Sequence, residues 1–268
     1  MLNHNFQHTF NGLYSLIIYL TSPSGCEWDK KQTPSSLKKY LLEECYEVID
    51  AIDNKEDENL TEELGDLLFH IIFQIKLGED QKKFKKEQVF EKIINKMIHR
   101  HPEVFSSSEK YIHETAESKW EIIKAQGKNT SSFVSLLGDI PNSLPSLSFA
   151  QLIQKRAALA DFDWNKFDNV LDKVNEELIE IKKSTTSKER EAEFGDLLFS
   201  LVNTARWMGI DSEIALRKAN HKFKSRFKFM EELSKKENKN FKSLKKQEKE
   251  LFWQKSKNDE FKKINLEN

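Results

Sequence analysis

The chain has 268 residues, a length that suits one large domain or two small ones built around hydrophobic cores. Its 43 Lys and Arg residues nearly balance 44 Asp and Glu residues, and 38% of the chain is hydrophobic. These values exclude a strongly basic nucleic-acid clamp and a disordered chain. Gly and Pro are rare, at 8 and 5 residues, which predicts a mostly helical protein.

The cysteines and the apolar runs bear on the compartment. Cys26 and Cys45 form no Cys-x-x-Cys pair, which excludes a disulfide scaffold and a cysteine-ligated zinc site. The first residues lack the basic region of a signal peptide, and no early apolar run is long enough to span a bilayer. We therefore expect a cytoplasmic protein, with neither nucleic acid nor a membrane among its partners.

Hydrophobic side chains recur with a helical period along the chain, and no segment alternates convincingly as a strand does. In the first half, the period predicts helices over residues 10–20, from Ser35 or Ser36 as a cap to about 53, and over 60–75, 86–101 and 109–126. In the second half, it predicts helices over 147–160, 167–184, 188–208, 211–235 and 243–258. The predicted fold class is therefore all-α.

The segment between the two halves changes in composition, because Gly, Pro, Ser and Thr cluster between residues 126 and 147. We predict an N-terminal helical domain over 1–128, a linker over 129–146 and a C-terminal helical domain over 147–268. We expect the C-terminal domain to be the main catalytic one.

The two halves repeat each other, which indicates a tandem duplication. Each half has a Glu-x-x-Glu block, then Glu-x-Gly-Asp-Leu-Leu-Phe, then Lys-x-x-x-Arg, and finally Trp-x-x-x-Lys. The matching segments are 42–47 with 175–180, 62–69 with 192–199, Lys96/Arg100 with Lys222/Arg226, and Trp120/Lys124 with Trp253/Lys257. Four such elements recurring in one order are very unlikely to arise by chance.

Each repeat carries four acidic side chains that two packed helices can bring together. Residues three apart lie on one side of a helix, so antiparallel packing places all four along one seam. The four are Glu44, Glu47, Glu63 and Asp66 in the first half, and Glu177, Glu180, Glu193 and Asp196 in the second. Crowded carboxylates repel one another, and Mg²⁺ or Mn²⁺ relieves that repulsion. The alternative is that they are solvated faces of a helical scaffold. The glycines inside these helices, Gly65 and Gly195, are expected to allow close packing or to mark a kink.

Basic and aromatic residues of the second half are candidate substrate ligands. Lys222 and Arg226 share one helix face and can bind polyphosphate oxygens. Lys173 lies one turn before Glu177 and can add a phosphate contact. Trp253 can stack on a nucleobase, with Lys257 one turn further on, although a packing role for Trp253 is an equal alternative.

These motifs resemble the MazG family of nucleoside triphosphate pyrophosphohydrolases, within the all-α NTP pyrophosphatases. The resemblance covers nearly the whole chain and its tandem arrangement. Besides the acidic blocks it includes residues 28–33, 99–105, 140–145, 162–164 and 199–207. Two turns depart from the family pattern: Glu27 replaces a usual Pro, and Ala160-Asp161 replaces a common Val-Gly.

The resemblance implies tandem helical-bundle domains, a homodimer, and Mg²⁺-dependent hydrolysis of NTPs or dNTPs to the monophosphate and pyrophosphate. On this basis the catalytic metal ligands are Glu177, Glu180, Glu193 and Asp196, with a second metal site at Glu44, Glu47, Glu63 and Asp66. The substrate ligands are Lys173, Asn203, Lys222, Arg226, Trp253 and Lys257.

The second half is expected to be the stronger site, because Asn203 can contact a sugar or base where the first half has Phe73. A broad base specificity is favoured, since nothing in the residues reads the base. Three alternatives stay open: a non-catalytic sensor of Mg–NTP, a narrower dUTP-like pyrophosphatase, and a helical scaffold. The helix around residues 67–75 is apolar on several sides, which favours a dimer or tight packing between the halves.

Overall fold

The structure, a computed structural model, describes residues 6–105, 135, 137, 138 and 140–266. Every regular element in this part of the chain is a helix, which confirms the predicted all-α class. No helix found among these residues combines the length and the apolar character that crossing a membrane requires. The chain divides into two compact units, Met1–Ile112 and His113–Asn268.

Some predictions fall on residues outside the described ranges. They are the helix predicted at 109–126, with Trp120 and Lys124, and most of the linker predicted at 129–146. The domain limits 1–128 and 147–268 therefore stay predictions.

In the first unit, the helices are α1 (Phe10–Leu20), α2 (Lys38–Asn54), α3 (Asp57–Asp80), α4 (Lys86–Arg100) and the single turn α5 (Pro102–Phe105). A short 3-10 helix, Asp29–Lys31, precedes α2. Two residues join α2 to α3, and the first of them, Lys55, has a left-handed φ of 59°. This tight turn makes α2 and α3 an antiparallel hairpin, so their acidic blocks face each other.

The predicted serine cap of α2 is wrong. The N-cap residue of this helix is Leu37, whose side chain cannot accept a capping hydrogen bond. Ser36 Oγ is engaged in the preceding turn, where it accepts a hydrogen bond from the Thr33 amide at 2.9 Å and donates one to Gln32 Oε1 at 2.7 Å. Because Leu37 is fully buried, an apolar anchor rather than a polar cap starts this helix.

The core of the first unit joins α1 to the C-terminal half of α3. Its buried residues are Ile17, Leu37, Ile72, Phe73 and Leu77. Ile52, Leu64 and Ile71 recur with the helical period of α2 and α3, yet they are 55%, 50% and 43% exposed. α1 covers the side of α3 that carries Phe73 and Leu77, so the buried residues of α3 lie on that side and in its C-terminal half.

In the second unit, the helices are α6 (Ser146–Leu159), α7 (Phe167–Lys183), α8 (Ser187–Trp207), α9 (Ser212–Lys236) and α10 (Lys246–Leu266). Three residues join α7 to α8, which again form an antiparallel hairpin. A capping box starts α8: Thr186 Oγ1 accepts from the Glu189 amide at 3.1 Å, and Glu189 Oε2 accepts from the Thr186 amide at 3.2 Å.

Side-chain amides attach α6 to its neighbours. The buried Gln154 donates from Nε2 to the Phe199 carbonyl of α8 at 2.8 Å. Gln151 Oε1 accepts from the Ser212 amide, the first residue of α9, at 2.8 Å. Separately, α9 and α10 pack on a cluster of Met230, Leu244 and Phe252. The α7–α8 hairpin, which carries the acidic residues, is thus attached to α6, whereas α9 and α10 pack on a separate core.

An ion pair fixes the loop between α6 and α7 to the end of α8. Arg206 Nη2 lies 2.6 Å from Asp163 Oδ1, and Arg206 Nη1 donates to Oδ2 at 3.0 Å. Trp207 Nε1 donates to the same carboxylate at 3.1 Å. Burial raises the pKa of Asp163, but the hydrogen bonds from Arg206, the Trp164 amide and Trp207 outweigh it and hold that pKa below its ordinary value.

Arg206→Met is expected to lower the free energy of unfolding by about 1–3 kcal/mol, because it leaves the partly buried Asp163 carboxylate without its bidentate partner. Arg190→Met, on the exposed first turns of the same helix, is expected to change it by less than about 0.5 kcal/mol. Urea denaturation of the two variants measures the difference. Equal stability of the two would contradict a structural role for this ion pair.

Candidate active site

The second-half site consists of the four carboxylates that α7 and α8 carry. Glu177 is 2% exposed, whereas Glu180 and Glu193 are half-buried. One carboxylate oxygen from each of these three lies within 4.8 Å of the others. Asp196, one turn beyond Glu193 on α8, is exposed and outside this group, although its charge still acts on Glu193.

Glu177 is held by a lysine on its own helix. Lys173 Nζ lies 2.6 Å from Glu177 Oε1 and 3.0 Å from Glu176 Oε1. The hydrogen bond to Glu177, followed by that to Glu176, raises the pKa of Lys173, so the lysine is charged. The other oxygen of Glu177, Oε2, is buried and has no hydrogen-bond partner among the described residues.

The donor set of this site fits a hard divalent cation. Burial first, then the charges of Glu180, Glu177 and Asp196, raise the pKa of Glu193. Such a shift means that the ionised form is disfavoured until a positive charge arrives. Converging carboxylate oxygens without sulfur or nitrogen ligands favour Mg²⁺ or Mn²⁺.

The first-half site repeats the arrangement on α2 and α3. Oxygens of Glu44, Glu63 and Asp66 lie within 4.8 Å of one another, and Glu47 is hydrogen-bonded to Glu44 and Glu63. Burial, then the hydrogen bond and charge of Glu47, raise the pKa of Glu44 to about 7. Burial and neighbouring carboxylates also raise the pKa of Glu63.

A histidine that the sequence reasoning missed adjoins the first-half site. His70 Nε2 lies 3.7 Å from Glu44 Oε1. The ring stacks on Tyr40 at 5.9 Å between centroids, and burial lowers its pKa. The signal was present in the sequence, because His70 follows Asp66 by four residues and so shares its helix face.

The two sites differ in the side chains next to the carboxylates. Alignment of the acidic blocks places Tyr40 where the second half has Lys173, His70 where it has Ser200, and Phe73 where it has Asn203. Phe73 belongs to the core of the first unit. Asn203 is half-buried, and its Oδ1 accepts a hydrogen bond from Arg206 Nε at 2.9 Å. Its amide nitrogen is thus the end that can donate to a substrate.

The remaining candidate substrate ligands lie together on α9 and α10. The Arg226 guanidinium carbon is 5.5 Å, and Lys257 Nζ is 5.8 Å, from the centre of the Trp253 ring. Lys222 is exposed one turn before Arg226. Trp253 also packs on the core cluster of this helix pair and lies 5.4 Å from the Phe223 ring, so it has the packing role as well. This group is on a different helix pair from the second-half carboxylates.

The glycines inside the acidic helices are not needed for packing within the described residues. A Cβ atom placed on Gly65 or Gly195 would meet no other described atom within 4 Å. The expectation that these glycines allow close helix packing is therefore wrong within each unit. Leu64 and Phe194, which precede the two glycines, are 50% and 55% exposed, so each glycine lies beside an open apolar surface.

Without metal, the free energy of unfolding is expected to fall as the pH rises from 4.5, the ordinary pKa of a Glu, to about 7, that of folded Glu44. A raised carboxyl pKa gives stability that is complete below the unfolded pKa and is lost as the pH passes the folded one. Allowing for partial exposure, the loss is about 1–3 kcal/mol. Urea denaturation in EDTA across this window measures it.

Glu44→Gln is expected to flatten this profile, whereas its exposed neighbour Glu43, changed to Gln, is expected to leave the slope intact. A stability that rises with pH in the wild type would contradict the prediction.

Comparison with known proteins agrees with this geometry. The MazG nucleotide pyrophosphohydrolase domain matches residues 32–105. The chain is 44% identical over 248 residues to the nucleoside triphosphate pyrophosphohydrolase/pyrophosphatase MazG of Thermotoga maritima, covering 92% of this chain and 95% of that one. It is 41% identical over 215 residues to the nucleoside triphosphate pyrophosphohydrolase of Escherichia coli K12, covering 78% and 82% of the two chains. It is 40% identical over 257 residues to the uncharacterized protein YabN of Bacillus subtilis, covering 94% of this chain and 52% of YabN. The chain therefore belongs to the MazG family of nucleotide pyrophosphohydrolases.

Proposed function

We propose that the chain is a Mg²⁺-dependent nucleoside triphosphate pyrophosphohydrolase, which converts NTPs and dNTPs to the monophosphate and pyrophosphate with broad base specificity. The observation that carries the proposal is the buried Glu177 oxygen without a partner, next to oxygens of Glu180 and Glu193 within 4.8 Å. A buried carboxylate oxygen without a partner is costly, and a cation bound to that oxygen would remove the cost. Relatives named for this activity support the same conclusion.

The residues of the second-half site have distinct roles in the proposed reaction. Glu177, Glu180 and Glu193 would hold the cation, which would neutralise phosphate oxygens and make the attacking water more acidic. Lys173 keeps Glu177 in position. A carboxylate of the site orients the attacking water and takes its proton. The water oxygen bonds to the α-phosphorus as the bond from that phosphorus to the α–β bridging oxygen breaks, and pyrophosphate leaves with that oxygen.

The substrate is held by groups that are indifferent to the base. Lys222, Arg226 and Lys257 are the proposed phosphate ligands, because charged side chains bind polyphosphate oxygens strongly. Trp253 stacks on the base, and stacking tolerates any base because each one has a π-face. Asn203 donates its amide hydrogen to the sugar or base. This combination supports broad specificity over a dUTP-like preference.

We also propose a homodimer, since both acidic hairpins leave large apolar side chains uncovered. They are Leu42, Tyr46, Leu64, Leu68 and Ile71 in the first unit, and Leu171, Leu178, Ile179, Phe194 and Leu198 in the second. Apolar patches of this kind usually mark an interface. The cysteines Cys26 and Cys45 are both free, which supports a reducing compartment such as the cytoplasm.

Product analysis tests the reaction. Purified protein is incubated with dGTP and Mg²⁺, and the products are separated by anion exchange, with an EDTA-treated sample as the control. We expect dGMP and pyrophosphate with Mg²⁺ and no product in EDTA. Formation of dGDP and phosphate would overturn the pyrophosphohydrolase proposal. Binding without any product from several nucleotides would favour a Mg–NTP sensor.

A further inference from the structure

We propose that the first-half site takes a first-row transition-metal dication rather than Mg²⁺, with the His70 imidazole as a nitrogen ligand beside its carboxylates. The inference concerns metal binding by the first unit and does not depend on the reaction proposed for the second. It follows from the position, the burial and the surroundings of one side chain.

His70 lies next to the first-half carboxylate group but outside it, since the ligand atoms within 4.8 Å of one another are oxygens of Glu44, Glu63 and Asp66. On α3, His70 follows Glu63 by seven residues and Asp66 by four, so the three side chains share one face. From α2, the Glu44 carboxylate approaches the ring, with Oε1 3.7 Å from Nε2. That distance is too long for a hydrogen bond. It suits two ligand atoms on one ion, which are about 3.0–4.2 Å apart when each bond is about 2.1 Å long.

The burial of His70 fixes its ring. The residue is 8% exposed. Tyr40 stacks on one face, with an angle of 6° between the rings, and the Phe69 ring contacts it at 5.6 Å between centroids. Nδ1 is buried and has no hydrogen-bond partner among the described residues. The stacked and buried ring thus holds its other nitrogen, Nε2, toward the Glu44 carboxylate.

The second-half site has neither the histidine nor the same charge balance as the first-half site. In the second half, Ser200 occupies the position of His70, and the Lys173 ammonium already neutralises Glu177. In the first half, Tyr40 replaces that lysine, so no ammonium neutralises Glu44 from this position. Imidazole binds transition-metal dications better than it binds Mg²⁺, because Mg²⁺ prefers oxygen ligands. The two sites thus differ in the ligand types that they offer a metal ion.

Pulsed EPR of bound Mn²⁺ tests the assignment, because a coordinated imidazole gives a characteristic ¹⁴N coupling. The full chain is used with Glu180→Gln and Glu193→Gln, so that bound Mn²⁺ reports the first-half site. We expect ¹⁴N coupling from Mn²⁺ in this protein, replaced by ¹⁵N coupling after growth on ¹⁵N-histidine. Adding His70→Gln is expected to remove the coupling and to weaken Mn²⁺ binding about 10- to 100-fold.

Two controls bracket this result. His99→Gln, a change of an exposed histidine on α4, is expected to leave the coupling intact. The reciprocal protein, with Glu44→Gln and Glu63→Gln, retains the second-half site and is expected to bind Mn²⁺ without histidine coupling. Bound Mn²⁺ without ¹⁴N coupling at the first-half site would overturn the proposal in favour of an all-oxygen site. Absence of Mn²⁺ from that site would overturn it as well. Neither of these two outcomes depends on whether the His70→Gln protein folds.

Discussion

Glu180→Gln is expected to lower kcat/KM for dGTP by at least about 100-fold, because it removes one of the carboxylates proposed to hold the cation in the second-half site. Glu47→Gln, at the equivalent position of the first half, is expected to have a much smaller effect. The reason lies in the residues at equivalent positions of the two halves: the second half has Lys173 and Asn203, whereas the first has Tyr40 and the buried Phe73. Steady-state kinetics with dGTP and Mg²⁺ measures both.

Glu191→Gln is the matched control, since Glu191 is an exposed acid on α8 two residues before Glu193. It is expected to keep wild-type kinetics. A larger loss from Glu47→Gln than from Glu180→Gln would move the main site to the first half. Equal losses would mean that both halves contribute to turnover.

Lys173→Met is expected to damage the protein in two separable ways. Without Lys173, the nearly buried Glu177 carboxylate loses its ammonium partner, and the metal-free protein should lose about 1–3 kcal/mol of unfolding free energy. This range allows for the 35% exposure of the Lys173 side chain, against 3% for Glu177. Saturating Mg²⁺ should restore part of that loss, because the cation takes over the role of the ammonium.

The second effect of Lys173→Met is on catalysis, where kcat/KM for dGTP is expected to fall by about 10- to 100-fold as Glu177 loses its orientation. Urea denaturation with and without Mg²⁺, together with steady-state kinetics, separates the two effects. Lys182→Met, on an exposed position of the same helix, is expected to leave both unchanged. A raised KM with unaltered metal-free stability would show that Lys173 binds the substrate and does not support Glu177.

The carboxylate clusters could be anticipated from the sequence because they depend on local geometry. Residues three apart share a helix face whatever the tertiary structure, and short connections impose antiparallel hairpins. The depth of each residue could not be anticipated in the same way. Leu64 and Ile71 recur with the helical period of α3 but are exposed, because α1 packs on another side of that helix. Asp196 is exposed for a comparable reason: periodicity gives angles around a helix and not burial.

Contacts between residues that are far apart in the chain could not be predicted from the sequence either. Asp163 and Arg206 are 43 residues apart, and nothing in either segment indicates that they pair. His70 carried a usable signal in its spacing from Asp66, but its approach to Glu44 depends on how α2 packs on α3. The cluster of Lys222, Arg226, Trp253 and Lys257 is an intermediate case. The four-residue spacings predict that Lys222 and Arg226 share one helix face and that Trp253 and Lys257 share another. The packing of α9 against α10, which brings the two pairs together, could not be predicted from the spacing.

If the proposed cations bind, the crowding of acids inside both hairpins links the abundance of this protein to its ligands. A ligand that binds only folded chains adds RT ln(1 + [L]/Kd) to their stability, about 2.7 kcal/mol when it is present at 100 times its Kd. Chains that find no cation keep their carboxylate repulsion, unfold more often and are removed by proteases. The cell would therefore retain more of this protein when divalent ions are plentiful, without any change in its synthesis.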